Sequence, residues 1–505
     1  MSTVEADRAI ECNNKKVSTD TKLYIHSAIG IAIMMVFQFL PAYGPITPIG
    51  MKIAGAFLGM VYLWSTVSSL WPSLLGLIMI ALSGYGGEGI TGFRYVFLNA
   101  FGAETVLLTL FAMVLFGAVD EAGCTKYIAR WLLTRKMING RPYVFFGVVF
   151  FTSYVISVLV GPITGLILMW PISLRMMDAV GIERCDKVWP YFFVGMFVMM
   201  TLGQPFLPFL GAQLVVLSAF DAMTGGMMPV PFAQYMAFNL IMTMLLMMVF
   251  LVVLKFVIRP DVSKLKNVTA EQMAETQQLP PMVWPQKLML IMLPIYILML
   301  LVPNFMQGST NPVIVFLATL GPMGVTLVWI VAFSVIRYKG KEMLDFREVS
   351  YKQFNWGIYF MIAAAVYGAN ALASDVTGVK EFLLQTLDPI LGGKPEMVFV
   401  AIMFTVALII TNFANNAAMA VVLMPVILAF SDQMNINPMP VAMGVTMMVF
   451  VAMLTPAASP HAGLMHGRKD IYATGDIMRI GFPVCVVTLI FYIFIGYPLA
   501  KVLFA

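Results

Sequence analysis

Two adjacent amides, Asn415 and Asn416, are well suited to binding chemistry because they interrupt an otherwise apolar run at 396–430. Thr411 precedes them by about one helical turn. Amide N–H groups can donate to a carboxylate, and a hydroxyl together with carbonyls freed by a helix break can face a cation. The structural alternative is that the asparagines only cap the following half-helix. Two unused amides in so apolar a run are costly, so the sequence favours a binding role.

A second candidate lies in the run 438–465, which the segment Thr-Pro-Ala-Ala-Ser-Pro-His interrupts. Proline ends regular helical hydrogen bonding, which places Ser459, Pro460 and His461 at a break. Imidazole titrates near neutral pH, so His461 is predicted to contact the substrate or to carry a proton. A neutral ring held by a backbone carbonyl is the structural alternative.

The third candidate is the pair Gly161-Pro162, which breaks the run 143–174 and precedes Ile163 and Thr164. A half-helix that follows such a break presents unpaired N–H groups and its positive dipole end, both of which attract a carboxylate. Pro162 itself has no N–H group and no side-chain ligand, so its predicted role is to shape the turn.

The composition of the chain shows what kind of protein contains these breaks. Of 505 residues, 60% are hydrophobic and only 11% are charged, whereas soluble domains carry roughly 25% charged residues. Soluble classes are therefore excluded, and we predict an all-α polytopic membrane protein. The net charge of +5 is interpreted as a membrane bias and not as affinity for nucleic acid. The four cysteines lack metal-ligand or disulfide spacing, and no cofactor is expected beyond a coupling ion.

Lysine and arginine predict the orientation of the chain. With the N-terminus in the cytoplasm, 25 of the 30 basic residues fall on the inner side, as the positive-inside rule requires. The C-terminus is then external, and the protein is predicted to be a multi-pass protein of the plasma membrane (the inner membrane of a bacterium). The predicted domains are a cytoplasmic tail (1–23), N-terminal scaffold helices (24–100), repeat 1 (101–257) with a scaffold helix, an inward hairpin (143–174) and a broken helix (188–222), a cytoplasmic linker (258–285), further scaffold helices (286–340), and repeat 2 (341–505) with a scaffold helix, an outward hairpin (396–430) and a broken helix (438–465).

Internal similarity supports the division into repeats. Pro162 and Pro171 are nine residues apart, as are Asn416 and Pro425, at an offset of 254. The Pro-rich break at 201–211 in the first half corresponds to the break near Ser459 in the second half. Gln213, just after the first of these breaks, is a further candidate ligand. Because the charge pattern orients the two halves oppositely, we predict inverted repeats whose broken helices meet at one substrate site.

Two segments resemble the divalent anion:sodium symporter family, the sodium-coupled dicarboxylate and citrate carriers. They are Thr-Asn-Phe-Ala-Asn-Asn-Ala-Ala-Met-Ala-Val-Val-Leu-Met-Pro-Val (411–426) and the stretch 455–482, which begins Thr-Pro-Ala-Ala-Ser-Pro-His. The resemblance covers about 95–500. It implies an elevator mechanism in which a transport domain of hairpins and broken helices slides against a dimeric scaffold. In that family each hairpin tip carries Ser-Asn-Thr, whereas this chain has Gly161-Pro162-Ile163 at the first tip and Asn415-Asn416-Ala417 at the second.

The resemblance also implies site residues. The expected substrate-binding residues are Gly161, Pro162, Ile163, Thr164, Gln213, Asn415, Asn416, Ala417, Ser459, Pro460 and His461. One sodium site is expected at Thr411, Ala414, Asn416 and Ala457, and a reduced one at Ser157 and Gly203, where the family's tip asparagine is replaced by proline. Fewer coupled sodium ions than the family uses are therefore predicted, with anion exchange or proton coupling through His461 as alternatives.

The predicted function is secondary transport of a small organic anion, favoured as a di- or tricarboxylate, with a monocarboxylate or a larger acid as the alternative. An enzyme is not expected, because the spans are nearly free of acids. A channel would need a continuous lined pore. The alternative carriers are the membrane subunit of a binding-protein-dependent dicarboxylate carrier and a cation/proton antiporter, the latter needing an unpaired aspartate in a break.

Overall fold

The computed structural model describes residues 3–275, 279–306, 308–456, 458–473 and 475–505, and these form an almost entirely helical protein. Within them, nine helices are long and apolar enough to cross a membrane, or up to eleven if two bent pairs each count as one span. A two-residue ladder between Arg337–Tyr338 and Lys341–Glu342 closes a surface turn. The all-α polytopic fold predicted from the sequence is confirmed.

The helices before the first hairpin are α1 (Thr3–Phe39), α2 (Pro48–Thr66), α3 (Leu70–Leu82), α4 (Gly89–Gly102), α5 (Glu104–Glu121) and α6 (Cys124–Leu133). Helix α1 begins within the segment predicted as a polar tail, although its candidate membrane span starts only at Thr21. The helices of the first hairpin, the first broken helix and the linker are α7 (Pro142–Ala179), α8 (Val188–Gly203), α9 (Ala212–Met223), α10 (Phe232–Val253, continued by a π-helical turn to Ile258) and α11 (Ala270–Glu275).

The remaining helices are α12 (Trp284–Phe305), α13 (Pro312–Val335), α14 (Phe346–Lys352), α15 (Trp356–Ala373), α16 (Val379–Leu391), α17 (Glu396–Thr411), α18 (Asn416–Gln433), α19 (Pro438–Val449), α20 (Pro460–Gly467), α21 (Asp476–Phe491) and α22 (Tyr497–Leu503). The two halves share one order of elements. A long helix and a short amphipathic helix (α5–α6, α15–α16) precede a hairpin (α7, α17–α18), a broken helix (α8–α9, α19–α20) and a final long helix (α10, α21).

Helix α7 is a hairpin and not one straight helix. Straight helix would separate Phe145 from Ser173 by about 40 Å. The Phe145 ring nevertheless lies 6.0 Å from that of Phe192, and the Ser173 hydroxyl lies 3.2 Å from the Met196 sulfur. Since Phe192 and Met196 are one turn apart on α8, the two arms of α7 fold back on each other. The reversal occurs at Gly161, whose φ of 76° favours glycine.

The second hairpin is built in the same way. Its arms α17 and α18 are joined by a short turn after Thr411, and far from that turn the rings of Phe399 and Phe430 lie 6.2 Å apart. Both hairpins therefore direct a tip toward the interior.

A further Gly-Pro break, Gly321-Pro322, lies inside α13, within the predicted scaffold segment 286–340. Gly321 has a φ of 61°. As at the first hairpin, glycine takes up the backbone turn and proline begins the next helical segment.

Candidate functional site

A single cavity of about 710 Å³ is bordered by both hairpin tips and both helix breaks. Every residue predicted to bind substrate lines this central cavity: Gly161, Pro162, Ile163, Thr164, Gln213, Asn415, Asn416, Ala417, Ser459, Pro460 and His461. Two repeats distant in sequence thus bring their breaks to one place. The residues' role in binding remains a prediction.

Four helical segments begin at the cavity wall: the second arm of α7 at Pro162, α9 at Ala212, α18 at Asn416 and α20 at Pro460. Each start presents N–H groups without an intrahelical acceptor and the positive end of a helix dipole. Among the described lining residues there is no lysine or arginine, and Asp120 is the one charged side chain. Within the described lining, the groups that favour an anion are therefore the helix starts and not basic side chains, and such helix starts suit a carboxylate.

The second tip places its polar groups as the sequence suggested. Asn415 caps α18, because its side-chain oxygen accepts from Ala418 N at 3.1 Å. The capping alternative is thus realised, yet Asn415 also lines the cavity. The Thr411 hydroxyl lies within hydrogen-bond distance of two oxygens, Asn416 Oδ1 at 3.0 Å and the carbonyl of Val449. One hydroxyl proton cannot serve both acceptors, so this group of three oxygens is rich in lone pairs.

Asn412, which follows Thr411 directly, supports the second broken helix. Its side-chain oxygen accepts from Met453 N at 3.2 Å and Leu454 N at 2.9 Å, and its carbonyl accepts from the Thr455 hydroxyl. These bonds satisfy backbone N–H groups of the irregular segment between α19 and α20. Asn412 therefore joins the second tip to the second break.

The expected sodium site also included Ala414 and Ala457. Ala414 lies in the turn between α17 and α18, and Ala457 lies outside the described residues.

The first tip has the same backbone plan with fewer ligands. The Ser157 hydroxyl donates to the carbonyl of Met200 at 2.6 Å, as Thr411 does to Val449. Gly203 packs so closely that a Cβ there would lie 2.7 Å from the carbonyl oxygen of Tyr154. The position that corresponds to Asn416 is Pro162, which supplies no side-chain oxygen.

Three buried polar atoms at the cavity have no hydrogen-bond partner among the described residues. They are Nε2 of His461, Oε1 of Gln213 and Oε1 of Gln204. His461 is 2% exposed and its ring lies 5.7 Å from that of Phe197, and no carbonyl of the described residues bonds its Nε2. Gln213 donates to the carbonyl of Leu207 at 2.7 Å. Unpaired polar atoms of this kind are costly unless a ligand completes them.

The opposite wall of the cavity was not found from sequence. Its polar members are Ser65, Ser69, Asp120, Gln353 and Asn355. They lie in or beside α2, α5, α14 and α15, where no helix break signals a site. Ser65 faces the second tip directly, since its Oγ lies 3.4 Å from Asn415 N.

The sequence model of the citrate transporter family (CitMHS) matches residues 25–446. The chain is 30% identical to the uncharacterized transporter YfbS of Escherichia coli K12 over 142 residues, which cover 28% of this chain and 23% of that protein. It is 25% identical to Solute carrier family 13 member 1 of Mus musculus over 138 residues, which cover 27% of this chain and 23% of that protein. The chain thus matches less than a quarter of the length of these relatives.

Among solved structures, the YdaH transporter of Alcanivorax borkumensis is similar, with a TM-score of 0.54 at 15% identity. The superposition covers 82% of this chain and 88% of that one, and it shows a shared fold. The relationship to citrate carriers predicted from the tip and break motifs is confirmed by the family match. The chain is a multi-pass membrane protein that belongs to the citrate transporter (CitMHS) family.

Proposed function

We propose that this protein is a secondary active transporter of a small organic anion, a di- or tricarboxylate, bound in the central cavity. The observation that carries the proposal is the convergence of four helix N-termini on a cavity whose described lining has no basic side chain. Helix dipole ends and free N–H groups stabilise a bound carboxylate there without a positively charged side chain. Release on the other side of the membrane is correspondingly easier than from an arginine clamp.

More than one carboxylate suits this arrangement. Both tips and both breaks line the cavity, so separate carboxylates of one substrate can each meet a different helix start. The unpaired Gln213 oxygen and His461 nitrogen can bond hydroxyl or protonated groups of such an acid.

The proposed coupling is one sodium ion at the second tip. The oxygens of Thr411, Asn416 and Val449 form the core of that site. At the first tip, Ser157 and the α8 carbonyls near Gly203 lack a partner that corresponds to Asn416. Fewer coupled sodium ions than in carriers with two complete tips follow from this difference. Exchange and proton coupling are the alternatives.

The proposed movement is an elevator in a homodimer. The cavity has one wall of tips and breaks and another contributed by α2, α5 and α15. Sliding of the first wall against the second would carry the bound anion across without dismantling the site.

Uptake into proteoliposomes tests the substrate class. Labelled succinate, malate, citrate and several monocarboxylates are offered with an inward sodium gradient, and the Asn416→Ala variant serves as the control for specific uptake. We expect sodium-stimulated uptake of a di- or tricarboxylate by the intact protein alone. If no carboxylate is bound or taken up, the assignment fails.

The proposed orientation has the N-terminus in the cytoplasm and the C-terminus outside. Single cysteines introduced as Gly140→Cys and Ile390→Cys in a cysteine-free background test it, because both positions are exposed. An impermeant thiol reagent on whole cells should label position 390 and spare position 140. Labelling of both from one side contradicts this topology.

A further inference from the structure

A second cavity, of about 290 Å³, lies away from the central one between α8, α10 and α21. Its wall is almost wholly apolar, with Met199, Leu202, Leu246, Phe250 and Val484 as typical members. Helix α10 faces outward, since only 22% of its spanning window is buried inside the protein. The cavity opens at the apolar surface, because Pro483 and Val487 of α21 line it and are exposed, and we refer to it as the lateral groove.

The two ends of the lateral groove differ in chemistry. Arg479, in the first turn of α21, and Tyr191, near the start of α8, line one end. Helix α21 runs antiparallel to α10, because Tyr492 near its end packs on Phe238 near the start of α10, with ring centroids 6.0 Å apart. The end of α10 at Ile258 consequently lies at the Arg479 end of the groove.

Three basic residues lie at or near this end of the groove. Among the described residues, Arg479, Arg259 and Lys255 form no ion pair with a carboxylate. Arg259 donates only to the carbonyl of Phe256, at 2.8 Å, and the Lys255 ammonium lies over the rings of Tyr143 and Phe256. A groove with an apolar body and a cationic mouth complements a molecule with an acyl chain and an anionic head.

We propose that the lateral groove binds an anionic phospholipid, with its phosphate at Arg479 and one acyl chain along α8, α10 and α21. The groove residues on α21 extend from Arg479 to Thr488, about 13 Å along a helix, so a chain from the headgroup region reaches deep into the hydrocarbon layer. Its inner part borders Leu202, the residue before Gly203 at the first helix break. The lipid thus contacts the helix that carries one wall of the central cavity.

Native mass spectrometry of the purified, delipidated full-length protein tests this inference. Phosphatidylglycerol and phosphatidylcholine with identical chains are titrated separately. We expect phosphatidylglycerol to bind more tightly, and Arg479→Gln to weaken it about fivefold, as loss of one basic contact at a membrane surface does, while phosphatidylcholine binding is unchanged. Val484→Trp, which fills the groove, should weaken both lipids.

The matched controls are Arg347→Gln, an exposed arginine on α14, and Val486→Trp, an exposed position on α21 outside the groove; both should bind like the unaltered protein. Equal binding of the two lipids, or an Arg479→Gln variant that behaves like Arg347→Gln, overturns the proposal. So does an unchanged Val484→Trp variant with the Val486→Trp control intact. Competition by glycerol phosphate as effective as by the whole lipid would show a simple anion site instead.

Discussion

The two hairpin tips share a backbone and differ in ligands. In each, a hydroxyl donates to a carbonyl near the end of the neighbouring half-helix, Ser157 to Met200 and Thr411 to Val449. Five residues after the hydroxyl, the second tip has Asn416 and the first has Pro162. The tip therefore folds without the amide. The two tips differ in the ligands that they offer: the second has the oxygens of Thr411, Asn416 and Val449 close together, whereas the first has the Ser157 hydroxyl and no amide.

Proline can start the second arm of the first hairpin without supplying a ligand. It is well tolerated at the first position of a helix, where its missing N–H has no acceptor in any case. Gly161 before it supplies the left-handed turn. Under the proposed function, the first tip thus offers a positive helix end to the anion and no side-chain amide oxygen to the cation. This asymmetry predicts that both repeats contribute to binding of the anion, whereas the second repeat alone binds the coupled ion.

The largest expected effect comes from removing the amide of the second tip. Asn416→Ala takes away an oxygen that faces Thr411 and a donor at the cavity. Loss of a hydrogen bond to a charged group costs about 2 kcal/mol, so kcat/KM for carboxylate uptake should fall by about 30-fold or more. Pro162→Ala is the matched change at the first tip and should alter uptake by less than about threefold. Equal losses in both variants would remove the distinction between the tips.

A second comparison concerns the hydroxyls. Thr411→Val keeps the shape of the side chain and deletes one oxygen of the second tip, so we expect the sodium concentration at half-maximal uptake to rise about tenfold, or ~1.4 kcal/mol. Ser157→Ala should shift it by less than about threefold, because its serine lacks an amide partner. Sodium titrations of both variants measure the difference. A larger shift for Ser157→Ala would place the ion at the first tip.

A third prediction separates a substrate-binding role of His461 from a role in proton coupling. The ring is buried and Nε2 has no partner among the described residues, so a polar group of the substrate can complete it. His461→Gln keeps a neutral hydrogen-bonding group and should raise KM roughly threefold to tenfold, while the pH profile of uptake keeps its shape. A flattened profile would instead assign proton coupling to this residue.

The smallest expected effect is a gain. Pro162→Asn returns an amide to the first tip opposite Ser157, where a second ion can then bind. The Hill coefficient for sodium should rise above that of the unaltered protein, since it is bounded by the number of coupled sites. Pro162→Ala is the control, because it removes the proline without adding a ligand. If Pro162→Asn and Pro162→Ala titrate alike, residues other than the amide limit the first site.

The breaks could be located from sequence because glycine, proline and paired amides are rare in apolar runs. Gly161-Pro162, Asn415-Asn416 and Ser459-Pro460 each interrupt such a run, and the structure brings all three to the central cavity. Matching spacings in the two halves also predicted that distant breaks meet. The all-α fold with two repeats of the same elements followed from these signals together with the charge pattern.

The opposing wall could not be predicted in the same way. Asp120, Gln353 and Ser65 line the cavity from helices or helix ends that the sequence shows as ordinary. Which side of such a helix faces the site depends on how it is rotated against its neighbours, and apolar residues all around a membrane helix leave that rotation unmarked. The bonds of Asn412 to the second break depend likewise on tertiary packing.

The central claim is that an anion site with four helix starts is coupled to sodium through the second tip alone. The most direct test is the sodium dependence of carboxylate uptake by the unaltered protein in proteoliposomes, measured at fixed pH and membrane potential. We predict saturable dependence with a Hill coefficient near one. A coefficient near or above two, which requires at least two coupled ions, would show that the first tip still binds sodium despite Pro162 and would contradict this account.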